Sequence, residues 1–326
     1  MSSNKSQRLN LEESRWDQNT YVGRATHFFV TTNPLNLFLS SEELEKARDI
    51  VTRYRKGEPL KNLSDEEIWR AKHIYDSAFH PDTGQMVPYV GRMCSQVPVN
   101  MVIVGGMLSF YKSKSAVMFW QWLNQTFNAI VNYSNRSGGT QVSTQQLGIS
   151  YVCGTGGALA ITTGLKQFIS KSGKQLPLLS RLVPFVGVAA ATCVNLPIMR
   201  SSELVHGIPV TDSKGKLIGI STIAAQYGIA QVVFSRIINA IPPMVVPPLV
   251  MNQLESRLKL PLLLRYPKLS IPIQIALVGI LNAFAIPMCC AIFPQKSNIP
   301  VSKLESEIQT NAKKYGVTTV YYNKGL

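Results

Sequence analysis

From residue 93 onward, charged residues divide the chain into uncharged runs at 93–111, 115–135, 137–165, 182–199, 217–235, 237–254 and 269–295. A helix crossing the hydrocarbon layer of a bilayer needs about 20 mostly apolar residues. The runs predict spans near 97–111, 116–133, 147–166, 182–199, 222–250 and 271–292. The first is short unless it begins near Met93, and the second is rich in amides, so the predicted count is five or six. Two amphipathic helices precede them. "SSEELEKARDIVTRYRKG" (40–57) has Ser40 and Glu43 at capping-box spacing and Gly57 as a stop, and "SDEEIWRAKHIYDSAFHPDTG" (64–84) repeats the device with Ser64 and Glu67 before Pro81 and Gly84. Ile50, Val51 and Tyr54 on one, with Ile68, Ala71 and Tyr75 on the other, give each an apolar stripe to pack against its neighbour or the membrane face. The predicted fold is an all-α polytopic membrane protein. It has a soluble helical region at 1–92, a bundle of five or six transmembrane helices at 93–295 with at least one broken by proline, and a soluble tail at 296–326.

The second span breaks the apolar pattern in an ordered way. "WQWLNQTFNAIVNYSNR" (120–136) carries Gln121, Asn124, Gln125, Asn128 and Asn132. At 100° per residue these fall within an arc of roughly 100°. An amide offers both donor and acceptor, so such a stripe either glues helices together or coordinates a small polar solute. The fifth span holds Arg236 and two proline pairs, Pro242–Pro243 and Pro247–Pro248. Proline lacks the amide donor and crowds the preceding turn, which predicts a break across 242–248, with Pro197 and Pro287 as interruptions of the fourth and sixth spans. Broken backbone inside a bilayer needs protein or water to cover it, and transporters place substrate sites at such breaks; the alternative is a pair of kinks with packing value only. Small residues in "GTGGALAITTG" (154–164) and "GVAAA" (187–191) let helices approach closely.

Charge sharpens the division. The chain of 326 residues carries a formal net charge of +15. Residues 1–90 hold 13 of the 18 acidic residues, whereas 91–326 hold 21 of the 33 basic ones. Basic residues beside membrane spans explain the excess. They punctuate apolar runs singly or in pairs and form no basic helix face, which excludes nucleic acid as a partner. The N-terminus has no apolar h-region and contains Glu12, Glu13 and Asp17, unlike a secretory signal or an Arg-rich transit peptide. The five cysteines, Cys94, Cys153, Cys193, Cys289 and Cys290, show no C-x-x-C spacing, and the four histidines are scattered, so no metal or cofactor is predicted.

The apolar runs contain no Asp, Glu or His, leaving no carboxylate pair, triad or proton relay for an enzyme within the bilayer. His80 and Asp82 in "HPDTG" read as a turn. What remains is amide and one cation. The candidate substrate-binding residues are Gln121, Asn124, Gln125, Asn128, Asn132 and Arg236. A guanidinium keeps its charge, so Arg236 must meet a carbonyl, a headgroup, water or an anionic solute group. A tricarboxylate would call for several buried cations; a small zwitterionic amino acid needs one anion contact and a few acceptors for its ammonium. The predicted partners are such a solute and membrane lipid, and the pattern is compatible with a homo-oligomer.

The blocks "SRWDQNTYVGRATHFF", "AKHIYDSAFHPDTG", "FWQWLNQTFNAIVNYSNR", "SRLVPFVGVAAATCVNLPIMR", "GIPVTDSKGKLIG", "IFPQK" and "VYYNKGL" closely resemble the sideroflexin family along essentially the whole chain. The resemblance implies a multi-pass protein of the mitochondrial inner membrane with about five spans. It further implies transport of serine into mitochondria for one-carbon metabolism. Links to iron and haem homeostasis are also attributed to the family, whose older naming was tricarboxylate carrier; a membrane scaffold in iron or haem homeostasis without its own flux is the alternative. No family set of substrate-binding residues carries over, so the site rests on the residues alone. "GIPVTDSKGKLIG" reads as a hairpin or turn around Lys214 and Gly215.

Overall fold

The computed structural model describes residues 9–58, 60, 63–80, 83–135, 144–171, 177–254 and 265–325. After α1 (Tyr21–Thr31), helices α2 (Ser41–Arg55) and α3 (Asp65–Ala78) form the N-terminal region. Both capping boxes are present: the Ser40 and Ser64 hydroxyls accept the amides of Glu43 and Glu67, whose carboxylates accept the Ser40 and Ser64 amides in return. The apolar stripes face each other, burying Leu44, Ala47 and Val51 against Ala71, Tyr75 and Phe79. Pro81 and Asp82 of the "HPDTG" turn lie outside the described residues. Gly84 closes that turn with φ +64° and donates its amide to the His80 carbonyl at 2.9 Å.

The bundle consists of α4 (Gln96–Ser109), α5 (Lys114–Ser134), α6 (Thr144–Lys171), α7 (Pro177–Met199), α9 (Thr222–Asn252) and α10 (Ser270–Cys290), with the short α8 (Ser201–His206) after α7. Helices occupy all six predicted positions. Among the described residues, three are long and apolar enough to cross a membrane, Leu179–Met199, Thr222–Asn252 and Ser270–Cys290, and Met93–Ser109 is a shorter apolar helix. α4 is too short, and α5 and α6 do not meet that standard either, so the count of five or six spans is not fixed by it. Close approach of α6 and α7 depends on small residues. A Cβ at Gly187 would fall 2.2 Å from the Thr162 hydroxyl, and one at Gly154 would crowd Asn195 at 3.0 Å.

The expected proline break is absent. α9 continues through Pro242, Pro243, Pro247 and Pro248, α7 through Pro197 and α10 through Pro287. Proline's fixed φ is itself helical, so each pair removes two amide donors without diverting the chain. The carbonyls of Ile238, Asn239, Pro243 and Met244 lose their partners four residues on.

The protein is also not all-α. Strands β1 (Ile208–Thr211), β2 (Leu217–Ser221), β3 (Lys296–Pro300) and β4 (Thr319–Asn323) form one antiparallel sheet in the order β2-β1-β4-β3. The β1–β2 hairpin turns where Asp212 Oδ1 accepts the amides of Lys214 and Lys216 and Gly215 takes φ +84°. Val210, Ile218, Ile299 and Val320 share a core with Ile308 of α11 (Ser306–Lys314) and with Ala224 and Ala225 in the first turn of α9. The tail thus folds onto the loop between α8 and α9. Glu305 fixes the join: its carboxylate accepts the Ser221 and Thr222 hydroxyls at 2.8 and 2.9 Å and the amides of Thr222 and Ile223 at 2.8 and 3.1 Å. An anion at the positive end of a 31-residue helix is favourable there. Burial raises the Glu305 carboxyl, but these hydrogen bonds outweigh it and hold the group below its ordinary value.

The sheet and the N-terminal helices meet one end of the bundle. Arg24 of α1, 7% exposed, donates to the Ala291 carbonyl just past α10 at 2.8 Å, and Tyr21 donates to Met288 O at 3.2 Å. Asn135 after α5 donates to Gly91 O at 2.8 Å, and Ser297 of β3 donates to Gln231 of α9 at 3.2 Å.

Candidate functional site

A cavity of about 440 Å³ enters the bundle from this end. On α5 the residues spaced at three and four line it: Asn124, Gln125, Asn128 and Asn132. α9 contributes Val232, Ser235, Arg236, Asn239 and Pro243, again one face. Other helices add further amides, Gln96 and Asn100 from α4, Asn195 from α7 and Asn282 from α10. Arg236 Nη2 donates to Asn132 Oδ1 at 2.8 Å, joining α9 to α5 across the cavity. Among the described residues it pairs with no carboxylate.

Five of the six residues singled out in the sequence therefore share one cavity. Gln121 does not. It is fully buried and donates from Nε2 to the Pro184 carbonyl of α7 at 3.2 Å. The helical projection places it correctly in angle, but it lies one turn nearer the closed end, where α5 and α7 touch. Gln121 acts as the glue between helices that the stripe also allowed.

Several side chains that line the cavity carry buried polar atoms without partners. Asn124 Nδ2, Asn195 Oδ1, Ser235 Oγ, Asn239 Oδ1 and Asn282 Nδ2 are all buried without a hydrogen bond. Most buried polar groups in folded proteins are paired, and leaving one unpaired costs about 1–3 kcal/mol. The residues that carry these orphaned atoms come from α5, α7, α9 and α10 and line a cavity large enough for a solute.

Beyond the amides the cavity ends in apolar packing. Val104, Met244 and Val188 line its floor; Val104 and Met244 belong to a cluster with Met107, Leu108 and Val278, flanked by Trp120, Phe185 and Val188. At the rim, Arg200 and Glu203 form a buried ion pair, and Arg200 Nη1 donates to the Lys324 carbonyl at 2.7 Å. Lys324 Nζ donates to Phe293 O at 2.8 Å, and burial pulls its ammonium below the ordinary lysine value. The rim cations are thus engaged by protein, and Arg236 is the cation set deeper.

The match to known proteins extends along the whole molecule. Residues 10–326 fit the family described as Sideroflexins. The chain belongs to the sideroflexin family. It is 54% identical to mouse (Mus musculus) Sideroflexin-3 over 321 residues, covering 98% of each chain. Human (Homo sapiens) Sideroflexin-3 is 53% identical over 321 residues and human Sideroflexin-1 50% over 320, again with 98% of each chain covered. No solved structure shows a significant match. Sideroflexin membership and the apolar helices together fit a multi-pass membrane protein.

Sequence reasoning passed over Asn100, Asn195, Asn239 and Asn282. Each lies in an otherwise apolar run with at most two further amides, too few to show an angular pattern. Only the bundle brings the four together with the α5 stripe. Among the described residues, no group of three or more His, Cys, Asp or Glu side chains is placed to hold a metal ion.

Proposed function

We propose that this sideroflexin carries a small zwitterionic amino acid, serine in the first place, across the mitochondrial inner membrane to supply one-carbon metabolism. The observation that carries the reading is the amide-lined cavity with one deep cation, open toward one end of the bundle and closed by an apolar floor. Such a floor is the barrier that a carrier must open on the other side.

The lining argues for the solute's charge. A carboxylate suits Arg236, and amides complete the shell of an ammonium and a hydroxyl without adding charge. A tricarboxylate would bring about three negative charges to a chamber whose other cations, Arg200 and Lys324, are held by protein groups at the rim. A zwitterion leaves no uncompensated charge behind. The amide shell points the same way.

The test is flux in proteoliposomes with the full chain and labelled serine, other neutral amino acids and citrate. Serine enters and citrate does not; Asn128→Ala and Arg236→Ala lower uptake while the protein stays folded. Citrate flux in place of serine refutes the solute assignment. Absence of any flux refutes the carrier and favours a membrane scaffold in iron or haem homeostasis, for which deletion of residues 1–90 would remove partners.

A further inference from the structure

The prolines of α9 leave its helix unbroken, so their consequence lies in the hydrogen bonds they remove. Pro243 has no N–H, and the Asn239 carbonyl one turn earlier loses the amide that would close its helical bond. Both residues line the cavity. The gap in the ladder therefore falls on the cavity face of α9. Around it stand Asn239 Oδ1, Ser235 Oγ and, from α7, Asn195 Oδ1, all buried and without hydrogen-bond partners. Asn195 is 7% exposed. Amide groups can turn to present either atom, so each can offer an oxygen. Arg236 stands three residues before Asn239, about 4.5 Å along the axis.

This is a neutral cluster rich in acceptors, one turn from a cation. Resting on the carrier reading above, we infer that the freed Asn239 carbonyl, with the side-chain oxygens of Asn239, Asn195 and Ser235, binds the ammonium group of the solute while Arg236 takes its carboxylate. The ammonium nitrogen and the carboxylate carbon of an α-amino acid lie about 2.5 Å apart across Cα, so groups spaced along one face of a helix can each reach one of them. Asn124 and Asn282, each with an unpartnered Nδ2, remain for a third polar group such as a side-chain hydroxyl. A solute lacking the ammonium leaves the acceptors unpaired, which is the strong form of discrimination available to an uncharged site. In transporters of other folds the carbonyls of unwound helix segments coordinate cations, and the oxygens here would also suit an alkali ion.

The experiment compares the full-length wild type with Pro243→Ala and Pro248→Ala in proteoliposomes. Pro243→Ala restores the amide that Asn239 lacks and favours the helix at the cost of two buried ring carbons, a loss that Pro248→Ala shares. Pro248 does not line the cavity and serves as the control. The solutes are serine and glycerate, in which a hydroxyl replaces the amine. The expected result is a KM for serine raised about tenfold in Pro243→Ala, inhibition by glycerate unchanged, and Pro248→Ala like the wild type. An unchanged serine KM beside an active wild type overturns the inference and leaves the carrier reading standing. Equal losses for serine and glycerate mark a general distortion of α9 and also overturn it. A shifted half-saturation for sodium with serine KM unmoved assigns the oxygens to an alkali ion and overturns the ammonium assignment. A wild type that moves no amino acid refutes the carrier reading and the inference with it.

Discussion

The helix starts of the α2–α3 pair and the centre of the bundle treat polar groups in opposite ways. In the pair, the orphan amides at each helix start are answered by serine hydroxyls, and the serine amides by glutamates, while the apolar faces close on Leu44, Val51 and Tyr75. In the bundle, Asn124, Asn195, Ser235, Asn239 and Asn282 bury polar atoms and leave them unanswered. The bundle is the more hydrophobic region, where an unpaired polar atom is most costly. Stability alone would have placed leucines there. On the carrier reading proposed above, the capped helix starts serve folding, and the cavity accepts a cost in the empty state that a bound solute offsets.

That contrast can be broken by substitution, and the largest effect is expected at Arg236. Arg236→Ala leaves the carboxylate of the solute without its cation and should lower serine uptake by about a hundredfold. Arg236→Lys, which keeps the charge and loses the fork, should recover part of it. Uptake within twofold of wild type in both variants removes Arg236 from the site. Next, Asn282→Leu should lower uptake by about tenfold while melting temperature in detergent holds or rises, because an unpaired amide is replaced by an apolar side chain of similar size. A fall in melting temperature with full uptake would make Asn282 a packing residue.

The helix pair predicts the reverse. Ser64→Ala removes a cap and should cost about 1 kcal/mol of local stability, read by hydrogen exchange over residues 65–78, with serine KM unchanged. The smallest effect is acid dependence at the join of sheet and bundle. Glu305 is held below its ordinary carboxylate value when folded, so its contribution is complete above the unfolded pKa and is lost as pH falls through the folded one. Glu305→Gln should flatten that part of the acid limb in melts of the wild type, and an unchanged limb would show that another group sets it.

How much of this was legible in the sequence depends on the kind of signal. Ser40–Glu43 and Ser64–Glu67 are local patterns whose hydrogen bonds lie within four residues, and they appear as spaced. The α5 stripe was legible because four amides repeat at helical spacing, and angle is what spacing encodes. Depth is not, which is why Gln121 falls outside the cavity despite lying on the same face. The prolines were misjudged because proline's missing donor and its helix-compatible φ are separate properties, and only the first entered the expectation of a break. Asn195, Asn239 and Asn282 were invisible as a group, since their relation exists only across helices. The sheet escaped for the same reason: β1 and β2 announce a hairpin through Asp212 and Gly215, but their partner β4 lies about a hundred residues away.

The central claim is that the amides at the heart of the bundle form a wet chamber that takes up serine. Asn282→Cys in a background with the native cysteines replaced, reconstituted and exposed to a charged thiol reagent, addresses it directly. The account predicts that the new thiol reacts from one side of the membrane and that serine, but not citrate, slows the reaction. A thiol that stays unreactive from both sides, or reacts at a rate indifferent to serine, would contradict it.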